Sequence, residues 1–440
     1  MGEKKKMKNK TKIMALLEVV VLCSVVSLTG PVFAAERNAK ASPAATAAAG
    51  AGDDFVLGIY GNANEDDTID MRDITYAARI ILWLEEETEL ADANNDGRVS
   101  VADMTQIGLI ILGKESELTI VDAADRIVTV KMPIERMAVL NTDFAEAIAA
   151  LDERDKVVGV TTTLTGYTRF FPELSTKTDV GGWYTPDIEA ILAVEPDTVC
   201  VYAKWPSTEA LDEKLPGDIN IVRLDFYKAP TQREEMIQLG YLLNKRERAD
   251  EYIEWHDQYV DEIYDRVAEI PDDEKVRVFI DAGGGKEFGR QAYSTGTGMH
   301  DLCVLAGGKN IAEGYVEGYA DVETEWILDQ NPDVIVGISY KGGYETDDET
   351  KMREHYEEIR ALPGFAEHVT AVQNDSVFIM SNAFAFAPHY PAPLAVMAKW
   401  LYPKRFADFK PEAIHQEYID EFLGIDFDVY EQGVFVFPRR

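Results

Sequence analysis

Residues 230–270 read PTQREEMIQLGYLLNKRERADEYIEWHDQYVDEIYDRVAEI, and the rest of the chain is organised around them. Apolar side chains recur at helical spacing from Ala249 to Val267 with charged residues between them, which is typical of an amphipathic helix. Asn244, a residue that tolerates a helix C-terminus, separates this helix from a shorter one before it. A helix over 246–268 would be roughly 34 Å long. The pattern fits an ordinary surface helix or a rigid strut between two lobes.

A repeated segment on the two sides of this helix favours the strut. DIEAILAVEPD at 187–197 and ETEWILDQNPD at 323–333 align at a constant offset of 136 residues. Both end in Pro-Asp, at Asp197 and Asp333, and both lead into a run of apolar, β-branched residues. The pattern predicts a short helix, a Pro-Asp turn and a buried strand in each of two similar α/β lobes.

Composition places the chain among packed globular proteins of more than one domain. It has 440 residues, of which 46% are hydrophobic, and a formal net charge of -36. This length allows a sizeable core, and the acidic balance disfavours nucleic acids and anionic membranes as partners. Cys200 and Cys303 lie in apolar runs, so we expect buried free thiols rather than a disulfide.

The N-terminus has the pattern of an export signal. Six lysines occur between residues 4 and 12, followed by an apolar stretch over 13–33 that contains Cys23. Residues 1–34 are therefore predicted to be a signal peptide, or an uncleaved membrane anchor. The remainder is expected outside the cytoplasm, either secreted or held at the cell surface. Residues 35–52 are rich in alanine and predict a flexible linker.

Two loops that start at Asn62 and Asp92 have the spacing of calcium-binding loops. Oxygen-bearing side chains occupy positions 1, 3, 5, 9 and 12 of each loop, and position 7 would supply a backbone carbonyl. Calcium takes six to eight oxygen ligands, so short polar side chains must converge from alternate positions. An Asp/Asn-rich turn without metal is the alternative, and the tandem repetition disfavours it. The candidate ligands are Asn62, Asn64, Asp66, Thr68, Asp70, Asp73, Asp92, Asn94, Asp96, Arg98, Ser100 and Asp103.

Residues 53–114 resemble a type I dockerin module, in which position 12 is Asp and each loop precedes a helix. The first loop departs from that pattern, because Asn62 replaces Asp at position 1 and Asp67 replaces Gly at position 6. The resemblance implies a small all-α domain with two calcium ions and a cohesin-bearing partner. That partner would be contacted mainly through positions 10 and 11, here 71–72 and 101–102. A purely structural role for calcium is the alternative.

From residue 118 onward, alternating strands and helices predict an α/β module with mainly parallel sheets. We expect lobe one at 118–229, linking helices at 230–270 and lobe two at 271–440. The strand at 136–141, the repeat, the long helix and the tail at 391–404 resemble substrate-binding proteins of ABC importers for iron-siderophores, haem and cobalamin. The resemblance implies the class III periplasmic-binding-protein fold, in which one rigid helix bridges two α/β lobes and ligand binds between them.

The resemblance also implies how the chain meets its transporter. In that family a glutamate on each lobe docks into arginines of the ABC permease, which works with its ATPase. The matching residues are Glu189 and Glu325. With Thr185 and Asp321 as expected N-caps, both glutamates fall in or near the first helical turn. The alternative is that they only complement the helix dipole.

Loops at the strand ends are expected to hold the ligand. Their aromatic residues favour a bulky metal-chelate, such as a ferric siderophore, a cobalamin or other corrinoid, or haem. Arg169, Lys204 and Arg290 are candidates for contacting anionic groups. The histidines of this module are scattered, which argues against a carrier of bare zinc or manganese. The candidate cleft residues are Asn141, Thr142, Tyr167, Trp183, Tyr184, Trp205, Tyr227, Arg290, Tyr293, Tyr340 and His389.

Catalytic motifs are missing from the sequence. It contains no Gly-x-Ser-x-Gly, no His-Glu-x-x-His and no dinucleotide fingerprint, so we expect a binding protein rather than an enzyme. Two alternatives stay open. One is a dockerin-bearing polysaccharide hydrolase that uses a pair of carboxylates, and the other is a calcium-dependent surface scaffold or adhesion protein. The bilobal repeat favours the substrate-binding protein.

Overall fold

The structure is a computed structural model that describes residues 55–439. The predicted signal peptide at 1–34, the linker at 35–52 and Cys23 lie outside the described residues. Among residues 55–439, the helices are too short or too polar to cross a membrane. Cys200 and Cys303 are both buried and free, which confirms the expectation for these thiols.

The N-terminal module contains two loop–helix units. Helices α1 (Met71–Ile81) and α2 (Val101–Leu112) each follow one of the Asp/Asn-rich loops and pack against each other. Asp70 and Ser100, at position 9 of their loops, cap the helices, and each N–H donates back to the carboxylate at position 12 over 2.7 Å. These capping boxes explain why each loop leads directly into a helix.

Lobe one contains a parallel sheet behind a β-hairpin. Asn141 caps helix α3, because its side chain accepts a hydrogen bond from the Phe144 N–H over 2.6 Å. The sheet order is β5-β4-β3-β6-β7, with every pair parallel. The elements are β1 (Glu117–Val121), β2 (Ile127–Lys131), β3 (Met137–Val139), α3 (Thr142–Ala150), β4 (Val157–Val160), β5 (Thr178–Asp179), α4 (Ile188–Ala193), β6 (Thr198–Val201) and β7 (Asn220–Arg223).

Two helices link the lobes, α5 (Ala229–Leu242) and α6 (Arg246–Ala268). The long helix predicted over 246–268 is confirmed. Near its start, Arg248 donates to the Ala150 carbonyl of lobe one over 3.2 Å. One turn later, Tyr252 donates to the Pro388 carbonyl of lobe two over 2.6 Å. Helix α6 therefore lies across both lobes.

The N-terminal module packs against these linking helices. The Tyr241 hydroxyl of α5 accepts a hydrogen bond from the Ile69 N–H over 3.0 Å, within the first loop. Arg246 of α6 donates to the Ile111 carbonyl of α2 over 2.9 Å. Buried apolar side chains of the module belong to the same core cluster as those of α5 and α6.

Lobe two contains a mixed sheet of order β11-β9-β8-β12-β13-β14, with β10 beside β8. Its centre is parallel, whereas β9, β11 and β14 pair antiparallel. The prediction of a mainly parallel sheet is thus confirmed for lobe one, whereas the edge strands of lobe two are antiparallel. The strands are β8 (Arg277–Gly284), β9 (Arg290–Tyr293), β10 (Lys309–Asn310), β11 (Tyr319–Val322), β12 (Val334–Ser339), β13 (Val377–Ser381) and β14 (Val436–Phe437).

Helices cover this second sheet, and the last of them continues into a short π-helix over Ile419–Leu423. A mixed α/β architecture with one sheet in each lobe is the result. The helices are α7 (Gly298–Leu305), α8 (Thr324–Gln330), α9 (Thr350–Arg360), α10 (Phe365–His368), α11 (Thr370–Gln373), α12 (Asn382–Ala385), α13 (Pro391–Leu401) and α14 (Pro411–Tyr418).

The repeated sequence segment forms the same structure in both lobes, α4 to β6 in lobe one and α8 to β12 in lobe two. The turns have matching left-handed residues, Glu195 at φ 48° and Asn331 at φ 46°. The helix caps are Asp187 and Glu323, each two residues after the expected caps Thr185 and Asp321. Thr185 instead contributes its carbonyl to a turn with Gly182.

The aspartates of the Pro-Asp turns anchor each repeat to the neighbouring strand. Asp197 Oδ2 accepts hydrogen bonds from the N–H groups of Glu135 and Arg136, at 2.8 and 2.9 Å. Asp333 Oδ2 accepts one from the Arg277 N–H, at 3.0 Å. The two turns thus share a contact in which an aspartate carboxylate binds backbone donors, just before β3 in lobe one and at the start of β8 in lobe two.

Candidate functional site

A cavity of about 740 Å³ lies between the two lobes. Side chains line it directly after the carboxyl ends of strands in both sheets: Thr161 follows β4, Tyr202 follows β6 and Tyr340 follows β12. This is where open α/β sheets bind ligands. Eight predicted cleft residues line it: Asn141, Thr142, Tyr167, Trp183, Trp205, Tyr227, Tyr293 and Tyr340.

Arg290 does not line the cavity. Its side chain is 2% exposed and donates to both carboxylate oxygens of Asp281, at 2.7 and 2.6 Å. It also pairs with Glu358. A guanidinium held by two carboxylates is neutralised within lobe two. Arg169, the other arginine considered for anionic groups, pairs with Asp347 over 2.8 Å.

His389 is also absent from the lining, since it is fully buried beneath it. Its Nδ1 lies 2.7 Å from Glu146 Oε1, and its Nε2 lies 3.1 Å from the Phe384 carbonyl. These two contacts hold the His389–Glu146 pair in place. The pair joins α3 of lobe one to lobe two. Tyr184 is exposed, with its ring 5.8 Å from that of Trp183.

Aromatic rings form most of the cavity wall in both lobes. In lobe one, Trp183 lies edge-on to Trp205 at 5.9 Å and to Tyr202 at 6.1 Å. In lobe two, the hydroxyls of Tyr293 and Tyr340 are 3.1 Å apart. Such rings present large, rigid and partly polar contact surfaces.

The charged groups of the wall are acidic. Asp143 and Glu146 line the cavity, and no Lys or Arg occurs among the described residues that do so. Asp143 accepts a hydrogen bond from the Tyr202 hydroxyl over 2.6 Å. Desolvation by the surrounding residues raises the pKa of Asp143 to about 7, although the bond from Tyr202 opposes that shift.

Two buried polar groups of the wall have no hydrogen-bond partner among the described residues. These are Asn141 Nδ2 and Thr161 Oγ1, on side chains that are each 1% exposed. They follow the neighbouring parallel strands β3 and β4. Buried polar groups in proteins are nearly always satisfied, so this edge of the cavity is suited to a hydrogen-bonding ligand.

Sequence reasoning missed several residues of the wall, including Asp143, Thr161 and Tyr344. The position of Asp143 directly after the predicted Asn141-Thr142 pair could have indicated it, and the same holds for Thr161 after a predicted strand. Tyr344 has no such signal. Its ring is stacked on that of Phe170 in lobe one, 3.7 Å away, which only the folded chain brings together.

The comparisons with known proteins identify the family. Residues 137–383, more than half of the chain, match the family model described as periplasmic binding protein. The chain belongs to this family. Its fold is that of TroA-like periplasmic binding proteins, and its relatives include binding proteins for molybdate and cobalamin.

Three relatives show how far the similarity extends. The molybdate-binding protein MolA of Haemophilus influenzae is 26% identical over 333 residues, which is 69% of this chain and 90% of that protein. A cobalamin-binding protein of Halobacterium salinarum is 27% identical, over 49% of this chain and 58% of that protein. The crystal structure of TroA-like FepB from Veillonella parvula superposes with a TM-score of 0.60 at 24% identity, covering 72% of this chain and 98% of FepB.

In this periplasmic binding protein, Glu189 and Glu325 occupy the second position of α4 and α8, one in each lobe. Both are exposed and have no hydrogen-bond or ion-pair partner among residues 55–439. Asp187 caps α4 through the Ala190 N–H, and α8 has no side-chain cap. The two glutamates are therefore free to contact another molecule.

Proposed function

We propose that this periplasmic binding protein is an extracytoplasmic receptor that binds a metal-chelate between its lobes and delivers it to an ABC permease and its ATPase. The observation that carries this proposal is the aromatic cavity at the junction of the lobes. Its volume of about 740 Å³ lies within the range of sites for small organic ligands. The proposed ligand is a ferric siderophore, a corrinoid or haem.

Glu189 and Glu325 are the proposed contacts to the permease. The support is that they occupy equivalent positions of a repeated unit, are exposed and have no hydrogen-bond or ion-pair partner in the part of the chain that the structure describes. Exposed carboxylates on two similar lobes give a surface that steers towards a basic partner. If the two glutamates only complement the helix dipoles, removing their charges should leave delivery of the ligand to the permease unchanged.

The N-terminal module is proposed to bind calcium. Asp73 and Asp103 are fully buried, and neither has a Lys or Arg partner among the described residues. Burial raises the pKa of Asp73 to about 6 and also raises that of Asp103. Buried carboxylates are normally paired with a cation or bound to a metal, so these residues fit a calcium ion.

The fit depends on amide and hydroxyl ligands as well as carboxylates. In residues 55–439, no three His, Cys, Asp or Glu side chains converge as a metal centre. Asn94 and Ser100 would therefore complete the second loop together with Asp92, Asp96 and Asp103. Gly97 has φ 90° at position 6, a conformation that suits glycine. The first loop has Asp67 there, which makes it the weaker of the two sites.

A cohesin-bearing protein is the proposed partner of this module. Met71 and Val101, at position 10 of the two loops, are 59% and 61% exposed. Exposed apolar side chains at equivalent positions of two loop–helix units are consistent with a docking surface. Calcium titration of the chain, with Asp103→Ala as the metal-site variant, would show whether capture of a cohesin requires the ion.

The experiment that tests the receptor function is to purify the protein from the cell that makes it and to identify what co-purifies. Absorbance spectroscopy and mass spectrometry should find one chelate, and its rebinding should quench the fluorescence of Trp183 and Trp205. The same sample should release no reducing sugar from polysaccharides. Sugar release without chelate binding would instead support the hydrolase.

A further inference from the structure

The charges of the cleft indicate which chelates it accepts. Asp143 and Glu146 are the ionisable acids of the wall, and the described lining has no Lys or Arg to oppose them. The nearby arginines are committed elsewhere, since Arg169 pairs with Asp347 and Arg290 with Asp281. Glu146 pairs with His389, whereas Asp143 has no basic side chain paired with it among residues 55–439. An anionic ligand would therefore lie beside the Asp143 carboxylate, which is unfavourable in a site of low dielectric constant.

The hydrogen-bonding groups of the cleft give the second constraint. Among residues 55–439, the donor Asn141 Nδ2 has no hydrogen-bond partner, while the Oδ1 of the same amide caps α3. Thr161 Oγ1, after the adjacent strand, also lacks a partner. A ligand oxygen that accepts from Asn141 would satisfy a group whose burial is otherwise costly. Amide and other carbonyl oxygens are acceptors of this kind and carry no charge.

We propose that the cleft selects a neutral or cationic metal-chelate with amide or carbonyl groups at its edge, and discriminates against oxyanions and chelates that carry carboxylates or catecholates. This inference rests on the proposed receptor function and narrows it to one ligand class. Asn141 and Thr161 would bind the edge of the ligand, Asp143 would exclude anions, and the rings of Trp183, Trp205 and Tyr340 would cover its faces.

The test is a panel of five probes measured by isothermal titration calorimetry at pH 8, above the pKa of Asp143. Cyanocobinamide is a cationic corrinoid bearing amides, and cyanocobalamin is a neutral one. Haemin carries two carboxylates, and a ferric tris-catecholate and molybdate are anions. We expect the two corrinoids to bind at least about tenfold tighter than any anion, or about 1.4 kcal/mol.

The five affinities distinguish a failure of the proposed charge selectivity from a failure of the proposed receptor function. If haemin, the tris-catecholate or molybdate binds as tightly as the corrinoids, the selectivity is refuted and the receptor function stands. If none of the five probes binds, the proposed receptor for metal-chelates is itself refuted. Tighter binding of both corrinoids supports both proposals.

Variants identify the residues responsible. Asn141→Asp keeps an oxygen to cap α3 but removes the N–H donor, so corrinoid affinity should fall about tenfold. Asp143→Asn keeps an acceptor for Tyr202 and removes the charge, so haemin affinity should rise while cyanocobinamide affinity falls. The control Asp329→Asn changes an exposed residue of α8 outside the cavity and should change neither affinity. Unchanged haemin affinity in a folded Asp143→Asn variant would overturn the role of this carboxylate, even if Asn141→Asp fails to fold.

Discussion

The two lobes share one structural unit and differ in what they contribute to the cleft. In both, a short helix ends at a left-handed residue, a Pro-Asp turn follows, and an aspartate binds backbone donors near the neighbouring strand. The loops after the strands differ. Lobe one provides the free donor of Asn141, the hydroxyl of Thr161 and the carboxylate of Asp143, whereas lobe two provides mainly tyrosine rings.

This difference separates two tasks within one fold. The repeated unit places an exposed glutamate at the same helical position in each lobe, which suits a partner that contacts both lobes. The unrepeated loops make the cavity asymmetric, because its negative charge and its unpartnered hydrogen-bonding groups come from lobe one among the described residues, whereas both lobes contribute rings. A ligand would therefore be oriented by the polar groups of lobe one and covered by rings of both lobes.

Reversing both docking charges gives the largest expected effect. In a Glu189→Lys/Glu325→Lys variant, uptake of the chelate by cells should fall to background, because the symmetric contact with a basic permease becomes repulsive. Ligand affinity measured on the purified protein should not change. Radiolabelled or fluorescent ligand uptake is the measurement.

The matched control for that variant is Asp329→Lys, an exposed residue of α8 outside the proposed contact. Uptake by this control should remain near that of the wild type. Normal uptake by the double variant would show that the equivalence of the two lobes has no role in docking.

The anchoring aspartates offer a comparison of stability between the lobes. Asp197→Ala removes a carboxylate that accepts two backbone hydrogen bonds, and Asp333→Ala removes one that accepts a single bond. The free energy of unfolding should fall by about 3 kcal/mol in the first variant and about 1.5 kcal/mol in the second. Urea denaturation monitored by circular dichroism measures both. Equal losses, or a larger loss for Asp333→Ala, would contradict this account of the turns.

The carboxylate that distinguishes lobe one should give the protein a pH dependence. Asp143 ionises near 3.8 when unfolded, and burial raises its folded pKa to about 7. Between these values the folded state holds the proton more tightly, so the contribution of Asp143 to stability should decrease as pH rises from about 4 to 7. The groups that act on its charge are Tyr202, Thr142, Glu146 and His389.

The measurement compares urea denaturation of the wild type with that of Asp143→Asn at pH 5 and pH 7. The loss of stability between the two values should be larger in the wild type, because asparagine does not titrate. Parallel pH dependences would show that Asp143 ionises normally and that its surroundings are well solvated.

The smallest expected effect concerns the unpartnered hydroxyls. Thr161→Val should raise the free energy of unfolding by about 1 kcal/mol, because it removes a buried hydroxyl without a partner, and should weaken ligand binding severalfold. Ser381→Ala is the control in lobe two, since Ser381 Oγ is also buried without a partner among the described residues but does not line the cavity. It should be stabilising without affecting affinity. Equal affinity of Thr161→Val and the wild type would remove Thr161 from the ligand site.

Much of the scaffold could be predicted because its signals are local. The helix over Arg246–Ala268 could be predicted from its helical periodicity. The turns after α4 and α8 could be predicted because the Pro-Asp segment occurs twice in the sequence. The antiparallel edges of lobe two could not be predicted, since the glycines at 283–285 gave no indication of whether the chain would turn back or cross over the sheet.

The residues that line the cleft were harder to predict from the sequence, because contacts between side chains distant in the chain determine which of them face it. In the sequence Arg290 is a candidate for binding an anion, but in the structure it pairs with Asp281 and Glu358. His389 is likewise a candidate cleft residue, but its ring contacts Glu146, which lies 243 residues earlier in the chain. Tyr344 could not be predicted for the same reason, since it lines the cleft while its ring stacks on that of Phe170 in the other lobe. The aromatic strand-end residues were found because their position relative to predicted strands is local information.

Hydrogen exchange with and without the chelate that binds most tightly is the most direct test of a ligand held between two lobes. Amides of both lobes should gain protection around the cavity, at 141–163 and 202–205 in lobe one and at 293–298 and 340–344 in lobe two. Amides of the N-terminal module at 55–112 should be unchanged. Protection restricted to one lobe, or located in the N-terminal module, would contradict binding in the cleft.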